Sequence, residues 1–518
     1  VSANNGTSHM TTRGYLGIDA GTQGLSVIFT DEKLNVLEVG EGSYEMLPGL
    51  AAECYEQDPM DWIQALKDAM QELRNKFEGD MEVLAIGISG QMHGEVLADE
   101  DGRCLSPARL WCDARNEQEG HELTEAFGVK MPKRATASRW LWTVRNQKDK
   151  AVRVRHMTTP AGWISYQLTG KWKLGIGDAS GMFPMDSETL NYHGDLLEKF
   201  TQHLNDDSVA PLAEILPEVV KAGEDAGNLS QQGSTLLGLP EGTPVSPAEG
   251  DQPAALAGSL IANAGMVSVS FGTSVCANSV GDRPFNGVSQ AVDHFCAVDG
   301  KPINMVWLRN GTTYMNSVVE MFGHVLGSDR SAGFAAVIPR VLDASPDCDG
   351  VVALPFMDDE PGLEVSRGGT AMLAGLTSEN STPGNVVKAA LLSTMFNLKL
   401  GSEVLDRQGY PRTELVLSGG LTKTPELSQI LADVFETPVT LLESAEEGTA
   451  WGAALLAKYR HLRLTGENQT WSQFVDQLDG EKNQKFEADE HRSGIYRTVY
   501  DRYKRLAALN SQLVDAIG

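Results

Sequence analysis

The chain runs to 518 residues, 41% of them apolar and 22% charged. At about 150 residues per domain that length predicts two or three domains, with core enough to need no disulfide staples. Lys and Arg number 42 against 70 Asp and Glu, and a net charge of −28 excludes a nucleic-acid or anionic-lipid partner while leaving room for a nucleotide held by backbone N–H groups.

Residues 1–10, VSANNGTSHM, have neither a basic leader nor an apolar core, and are expected to be a cloning scar. From Tyr15 the chain reads YLGIDAGTQGLSVIFT, with alternating apolar positions around a Gly-Thr turn. A second turn at Asp31-Glu32-Lys33 completes a predicted β-meander. Trp62, Leu66, Met70 and Leu73 recur at helical spacing, predicting a helix over 59–77. An apolar strand over 83–88 then ends in the loop SGQMHG, and the continued alternation of strand and helix signals gives an α/β class.

Residues 252–281 carry no charge, yet Gln252, Pro253, Ser259, Asn263 and further polar residues interrupt the run, so no membrane span is expected. Within it, MVSVSFGTSVC at 266–276 repeats the strand, Gly-Thr turn and strand of residues 15–27. ELVLSGGL at 414–421 likewise echoes AIGISGQM at 85–92. The same motifs in the same order predict a duplicated fold with a boundary near 258–265. Beyond Thr470 a tail ends in one predicted helix, with Tyr496, Val499, Tyr500, Tyr503, Leu506, Leu509 and Leu513 on its apolar stripe.

Several loops carry chemistry. In Asp19-Ala20-Gly21-Thr22-Gln23-Gly24, glycines at a hairpin tip let N–H groups approach a phosphate, and Asp19 is placed to hold a cation or water beside it; an ordinary turn reads the same way. Gly272-Thr273-Ser274 is its counterpart in the second half. Asp251 lies just before the apparent N-cap of a helix starting at Pro253, either as a cap or as a general base. Gln91, Met92 and His93 suit a polyol, the amide and imidazole for hydroxyls and the thioether for the carbon face, although His93 is equally a structural loop histidine. Trp111, Asp113 and Arg115 are either further hydroxyl ligands or a surface ion pair. No Walker-type loop, dinucleotide fingerprint, HExxH motif or Cys/His ligand set is present. The six cysteines include no CxxC pair, which points to a reducing, cytoplasmic setting.

These residues resemble the FGGY carbohydrate kinases, and among them the xylulose-kinase branch. GIDAGTQG at 17–24 is similar to the family's first phosphate loop, SGQMHG at 89–94 to the sugar loop, and LWCDAR at 110–115 to the segment after it. RWLWTVRN at 139–146 resembles the first signature, with Arg139 where Lys is usual. EGD at 249–251 resembles the catalytic-aspartate motif, SFGTS at 270–274 the second phosphate loop, and the 417–439 stretch the second signature, in which Gly419 and Gly420 approach the nucleotide. EEGTAWGAAL at 446–455 resembles the helix behind the adenine side. One departure is MDDEPGLEVSRGG at 357–369, where pentulose kinases carry a Gly-Glu-Arg-Thr-Pro run.

The resemblance implies duplicated actin-like (ribonuclease H-like) ATPase domains with a cleft between them. It implies an N-terminal domain over 11–260 with sugar and base, a C-terminal domain over 261–469 with the nucleotide, and a helical tail over 470–518 packed on the body. The implied reaction is transfer of the ATP γ-phosphoryl to a ketose, D-xylulose to D-xylulose 5-phosphate. Asp251 is the implied base, and Asp19 reaches Mg²⁺ through water. Gln91, Met92, His93 and Asp113 are the implied sugar ligands; Gly21, Thr22, Gln23, Gly272, Thr273, Ser274, Gly419 and Gly420 bind ATP. The partners are then sugar and ATP, with a homodimer as the family's assembly. A kinase of L-xylulose, ribulose, sedoheptulose, glycerol or erythritol, or a non-kinase actin-like ATPase, are the alternatives.

Overall fold

The computed structural model describes residues 11–325, 327, 329–441, 448–478 and 484–517. The expected scar, and Glu446 and Glu447 of the EEGTAWGAAL stretch, lie outside the described residues.

Strands β1 (Thr11–Ala20), β2 (Gly24–Asp31) and β3 (Val36–Ser43) form the expected antiparallel meander, with Ala20 opposite Leu25 across the first turn. Strands β4 (Asp80–Gly90) and β5 (Glu249–Gly250) extend it in parallel, giving the order β5-β4-β1-β2-β3. Helix α1 (Pro59–Lys76) starts where Asp58 accepts the Met60 N–H, and it buries Trp62, Leu66, Met70 and Leu73. It packs on one face of the sheet so closely that a Cβ on Gly40 would lie 2.0 Å from the Ala69 carbonyl oxygen.

The opposite face is covered by the helix Gly448–Leu464, as alternation along a strand requires. A Cβ on Gly17 of β1 would lie 2.1 Å from the Ala450 oxygen, and one on Gly87 of β4 1.8 Å from the Ala453 oxygen. Only glycine permits this approach. Two helices flank β5: α2 (Ile176–Met182) and α3 (Asp251–Gly258). Helix α3 begins at Asp251 rather than at Pro253, because Gly250 has the extended backbone of the cap and Asp251 is already helical.

The second unit repeats the plan. Its sheet has β6 (Met266–Phe271), β7 (Val275–Val280), β8 (Val292–Cys296), β9 (Pro302–Leu308), β10 (Glu414–Gly419), β11 (Val439–Leu441) and β12 (Gln484–Phe486), ordered β8-β9-β7-β6-β10-β11-β12. An antiparallel meander β6-β7-β9 is followed by β10 and β11 parallel to β6, just as β1-β2-β3 is followed by β4 and β5. Phe271 pairs with Gly419 as Ala20 pairs with Gly90. The chain is a duplicated α/β fold.

Helix α4 (Pro383–Arg407) is the spine of the second core, and the rings of Tyr500 and Tyr503 pack tilted against its Phe396 at centroid distances of 5.3 and 5.6 Å. The single tail helix expected there is two, Glu490–Ala507 and Asn510–Ile517, with Leu509 exposed at the break. Asn510 is drawn aside there by a 2.6 Å bond from the Thr370 hydroxyl. The compact units do not follow one cut in the chain: residues 295–302 and the described part of 446–479 belong with the first. Among the described residues no helix is long and apolar enough to cross a membrane; the uncharged 252–281 stretch forms α3, β6 and β7 instead.

Candidate active site

In the first unit the parallel strands finish level with one another. Asp19 and Glu249 both lie beside Ser89, and Ala20 and Gly250 both lie beside Gly90. The C-terminal edge of such strands is where open α/β sheets bind ligands. Asp19 accepts from the Ser89 hydroxyl at 2.8 Å, and its other oxygen accepts from the Thr449 hydroxyl. Burial pushes the Asp19 carboxyl above the usual range, and these two hydroxyls hold it back.

The turn after Asp19 is held rigidly. The Gly21 N–H donates to the Gly24 oxygen at 3.0 Å, and the Tyr44 hydroxyl bridges the Gly21 and Gly24 oxygens at 2.5 and 3.0 Å. The Gln57 amide donates to the Thr22 oxygen at 2.8 Å, and the Trp111 indole to the Thr22 hydroxyl at 3.1 Å. Fixing the carbonyls by protein donors suits a loop that binds anions through N–H groups. Gln23 at the tip is exposed.

Met92, His93 and Asp251 come together at the same edge. Met92 is buried against Gly250, where a Cβ would lie 2.1 Å from its Cγ. His93 takes a left-handed backbone, φ 64°, and its Nδ1 lies 3.0 Å from the Gly181 oxygen, which can only accept, so the proton sits on Nδ1. Asp251 accepts the Gln252 N–H at 2.8 Å and a further backbone bond from Met92. Burial, and after it the charge of Asp19, lifts the Asp251 carboxyl to about 7.

Gln91 and Asp113, also expected as sugar ligands, are held by other protein groups. Gln91 is fully buried, donating to Gln57 at 3.0 Å and accepting from Thr22 at 3.4 Å. Asp113, also fully buried, takes the Arg115 guanidinium at 2.7 Å and the Tyr55 N–H at 2.9 Å, with Arg109 at 3.5 Å. These partners outweigh burial and hold its carboxyl below the usual range. The pair read alternatively as a surface ion pair thus has its carboxylate in the interior and its guanidinium partly buried, and Trp111 beside it is exposed.

Behind Asp251 stands an acid pair that sequence reasoning missed. Glu249 accepts the backbone N–H groups of Gly177 at 3.3 Å and Asp178 at 2.8 Å. Asp178 accepts from Thr159 at 2.5 Å, while its Oδ1 is buried without a partner. Burial first, and Asp251 after it, raises Asp178 to about 8, and burial with Asp178 raises Glu249 well above its ordinary value. Asp178 lies in GIGDASG, which has no motif spacing, whereas Ser89, Glu249 and Thr449 each sit inside a stretch the resemblance had flagged.

In the second unit Gly272, Thr273 and Ser274 form the β6–β7 turn, beside Gly419 and the Gly420 that opens a 3₁₀ turn. Gly419 adopts φ 82°, ψ −159°, a conformation open to glycine alone. The Gly272 oxygen accepts from the Thr312 N–H and hydroxyl at 2.8 and 2.9 Å, and the Thr273 oxygen from the Gly311 N–H at 2.9 Å. Gly311 is a further missed residue: a Cβ on it would lie 2.4 Å from the Gly272 oxygen. The atypical 357–369 segment closes on the same loop. Its buried Glu360 accepts the Arg309 and Asn310 N–H groups at 3.1 and 2.9 Å, and the Asn310 amide at 3.0 Å.

Among the described residues no group of three or more His, Cys, Asp or Glu could hold a metal ion. A single carboxylate beside a phosphate loop, as at Asp19, fits an ion held mainly by phosphate and water oxygens.

The description "FGGY family of carbohydrate kinases, N-terminal domain" matches residues 14–258, and its C-terminal counterpart matches residues 267–461. The chain belongs to the FGGY family of carbohydrate kinases. It is an ATP-dependent sugar kinase. The xylulose kinase of Haemophilus influenzae is 28% identical over 508 residues, covering 94% of this chain and 98% of its own. That of Streptomyces rubiginosus is 30% identical over 467 residues, 88% of each chain. The solved xylulose kinase from Rhodospirillum rubrum has a TM-score of 0.81 at 21% identity, covering 96% of this FGGY kinase and 99% of its own chain. Plasmodium falciparum glycerol kinase with ADP reaches 0.77 at 20% identity, covering 96% and 98%. Both solved structures share the fold.

Proposed function

We propose that this kinase transfers the γ-phosphoryl of ATP to the terminal O5 hydroxyl of D-xylulose, giving D-xylulose 5-phosphate. The observation that carries the mechanism is Asp251, a carboxylate lifted to about 7 at the strand edge that also presents Met92 and His93. A base with a pKa near the working pH keeps a substantial ionised fraction while holding enough proton affinity to take the proton of the attacking hydroxyl. Met92 covers the carbon face of the sugar and His93 bonds its hydroxyls, while Gln91 and Asp113 hold those loops in place from below. In the first unit Gly21, Thr22 and Gln23 offer N–H and O–H groups to phosphate oxygens. In the second unit Gly272, Thr273, Ser274, Gly419 and Gly420 bind the nucleotide. Asp19 would hold Mg²⁺ through water; when bound, that ion neutralises charge on the phosphates.

D-Xylulose is favoured over other ketoses by SGQMHG and by two relatives named xylulose kinase. A kinase for another ketose or polyol is the second reading, since MDDEPG replaces the usual pentulose-kinase run and glycerol kinase shares the fold. ADP release with Mg·ATP across D-xylulose, L-xylulose, D- and L-ribulose, sedoheptulose, glycerol and erythritol tests this. The highest kcat/KM on D-xylulose is the expected result. A higher value on any other sugar transfers the assignment to that sugar, and release that ignores every sugar returns the chain to an ATPase without an acceptor.

A further inference from the structure

A buried arginine ties the candidate sugar loop to the loop after it. Arg139, in the helix Thr136–Asn146, is completely buried, and its terminal nitrogens reach backbone carbonyls rather than carboxylates. One terminal nitrogen donates to the His93 oxygen at 2.6 Å and to the Arg134 oxygen. The other donates to the Trp111 oxygen at 2.9 Å and reaches the Asp113 oxygen at 3.5 Å. A buried charge is costly unless fully hydrogen-bonded. Burial, with Arg109 nearby, lowers the Arg139 guanidinium to about 9. Such a residue belongs in a core only if its geometry is needed.

Two of the four carbonyls it reaches, those of His93 and Trp111, belong to residues of the candidate site. His93 is in the left-handed region and turns its ring to Gly181. Trp111 exposes its ring and donates to Thr22 in the first phosphate loop. The same helix also bonds the Gly94 oxygen through Thr136 at 3.4 Å. A planar fork serves two loops at once in a fixed relative orientation, where the lysine usual at this signature position would offer only a point donor on a flexible stem.

We propose that Arg139 is a positioning residue that sets sugar specificity, by locking the His93 and Trp111 loops in one mutual orientation. The proposal rests on His93 being a sugar ligand. Arg139→Lys keeps the charge and loses the fork. Its KM for the preferred ketose should rise about tenfold, in keeping with the weight of a charged hydrogen bond, with kcat and the KM for ATP changed less than about threefold. The ratio of kcat/KM between the preferred ketose and its C3 or C4 epimer should narrow in step.

Arg139→Gln, which retains two donors but no charge, should show the same split more strongly, and thermal melts on both variants report whether they fold. His93→Ala is the control for the underlying reading. If His93→Ala leaves the sugar KM unchanged, His93 is not a ligand and the sugar-loop reading fails with it. If His93→Ala raises the sugar KM while folded Arg139→Lys matches wild type in KM and epimer ratio, the role given to Arg139 is wrong. If neither Arg139 variant folds, Arg139 is a strut of the core and the specificity role is likewise overturned.

Discussion

Thr449 donates its hydroxyl to Asp19, a residue 430 positions earlier in the chain, while Ser89 serves the other carboxylate oxygen. Burial pushes this carboxyl upward, and the two hydroxyls oppose that push by stabilising its ionised form. Thr449→Val removes one of them at nearly constant volume. A hydrogen bond to a charged group is worth about 1.5–3 kcal/mol, so the Mg²⁺ concentration for half-maximal velocity should rise about tenfold or more at saturating sugar. A magnesium titration at fixed ATP checks this, and an unchanged midpoint separates Asp19 from the metal.

Asp251→Asn removes the proposed base while keeping the backbone bonds around it. Turnover should drop by roughly 10²–10⁴, the usual share of general acid–base catalysis, with nucleotide affinity retained. In the wild type, kcat/KM should fall on the acid side with a midpoint near the value of about 7 that burial and Asp19 impose. Steady-state kinetics from pH 5.5 to 9 make the comparison. A profile flat through neutrality would remove Asp251 from the role.

Stability should run the other way. Asp178 and Asp251 titrate at about 8 and about 7 in the folded chain, against an ordinary value near 4 when unfolded. Both carboxyls are raised, so the folded state binds protons more tightly, and the stability they contribute at acid pH is lost as pH climbs from about 4 through about 8. The melting temperature of the wild type should thus decline by several degrees between pH 6 and 9. Asp178→Asn should flatten that decline and melt higher than wild type at pH 9. Scanning calorimetry at each pH decides it.

The turn that carries Gly272 depends on residues from a separate loop. Gly311→Ala places a methyl 2.4 Å from the Gly272 oxygen and 2.7 Å from the Thr273 oxygen, so the turn must move. The KM for ATP should rise about tenfold or more with the sugar KM little changed, as loss of positioning within one loop implies. Glu360→Ala, which frees the Arg309 and Asn310 N–H groups, should act in the same direction and also lower the melting temperature. Equal ATP affinity in both variants would sever the 309–313 loop from nucleotide binding.

The strands and hairpins were legible because their signals are local. Alternation and a Gly-Thr pair suffice to place the β1–β2 and β6–β7 turns, and the order of the echoes already betrayed the duplication. Helix α1 was legible for the same reason, its buried stripe being periodic. What escaped is set by partners distant in sequence. The polarity of Gln91 and Asp113 does not say whether an amide or carboxylate faces solvent or another side chain, and here Gln57, Arg115 and Arg109 claim them. Asp178 becomes notable only because β5 and α2 bring Glu249 and Asp251 to it. The destination of the helix Gly448–Leu464 was equally hidden, since nothing within it names Gly17 and Gly87 as its bed.

That helix imposes an order of events on biosynthesis. The first unit presents two bare glycine positions, Gly17 and Gly87, where the helix Gly448–Leu464 must land, and Asp19 lacks one hydroxyl until Thr449 arrives. A ribosome delivers these residues only after six of the seven strands of the second sheet, through Val439–Leu441, have been made. At about 5–20 residues per second, the sheet made first waits tens of seconds with one apolar face open. The hydroxyl pair around Asp19 is therefore completed only by a helix made long after the strands it caps.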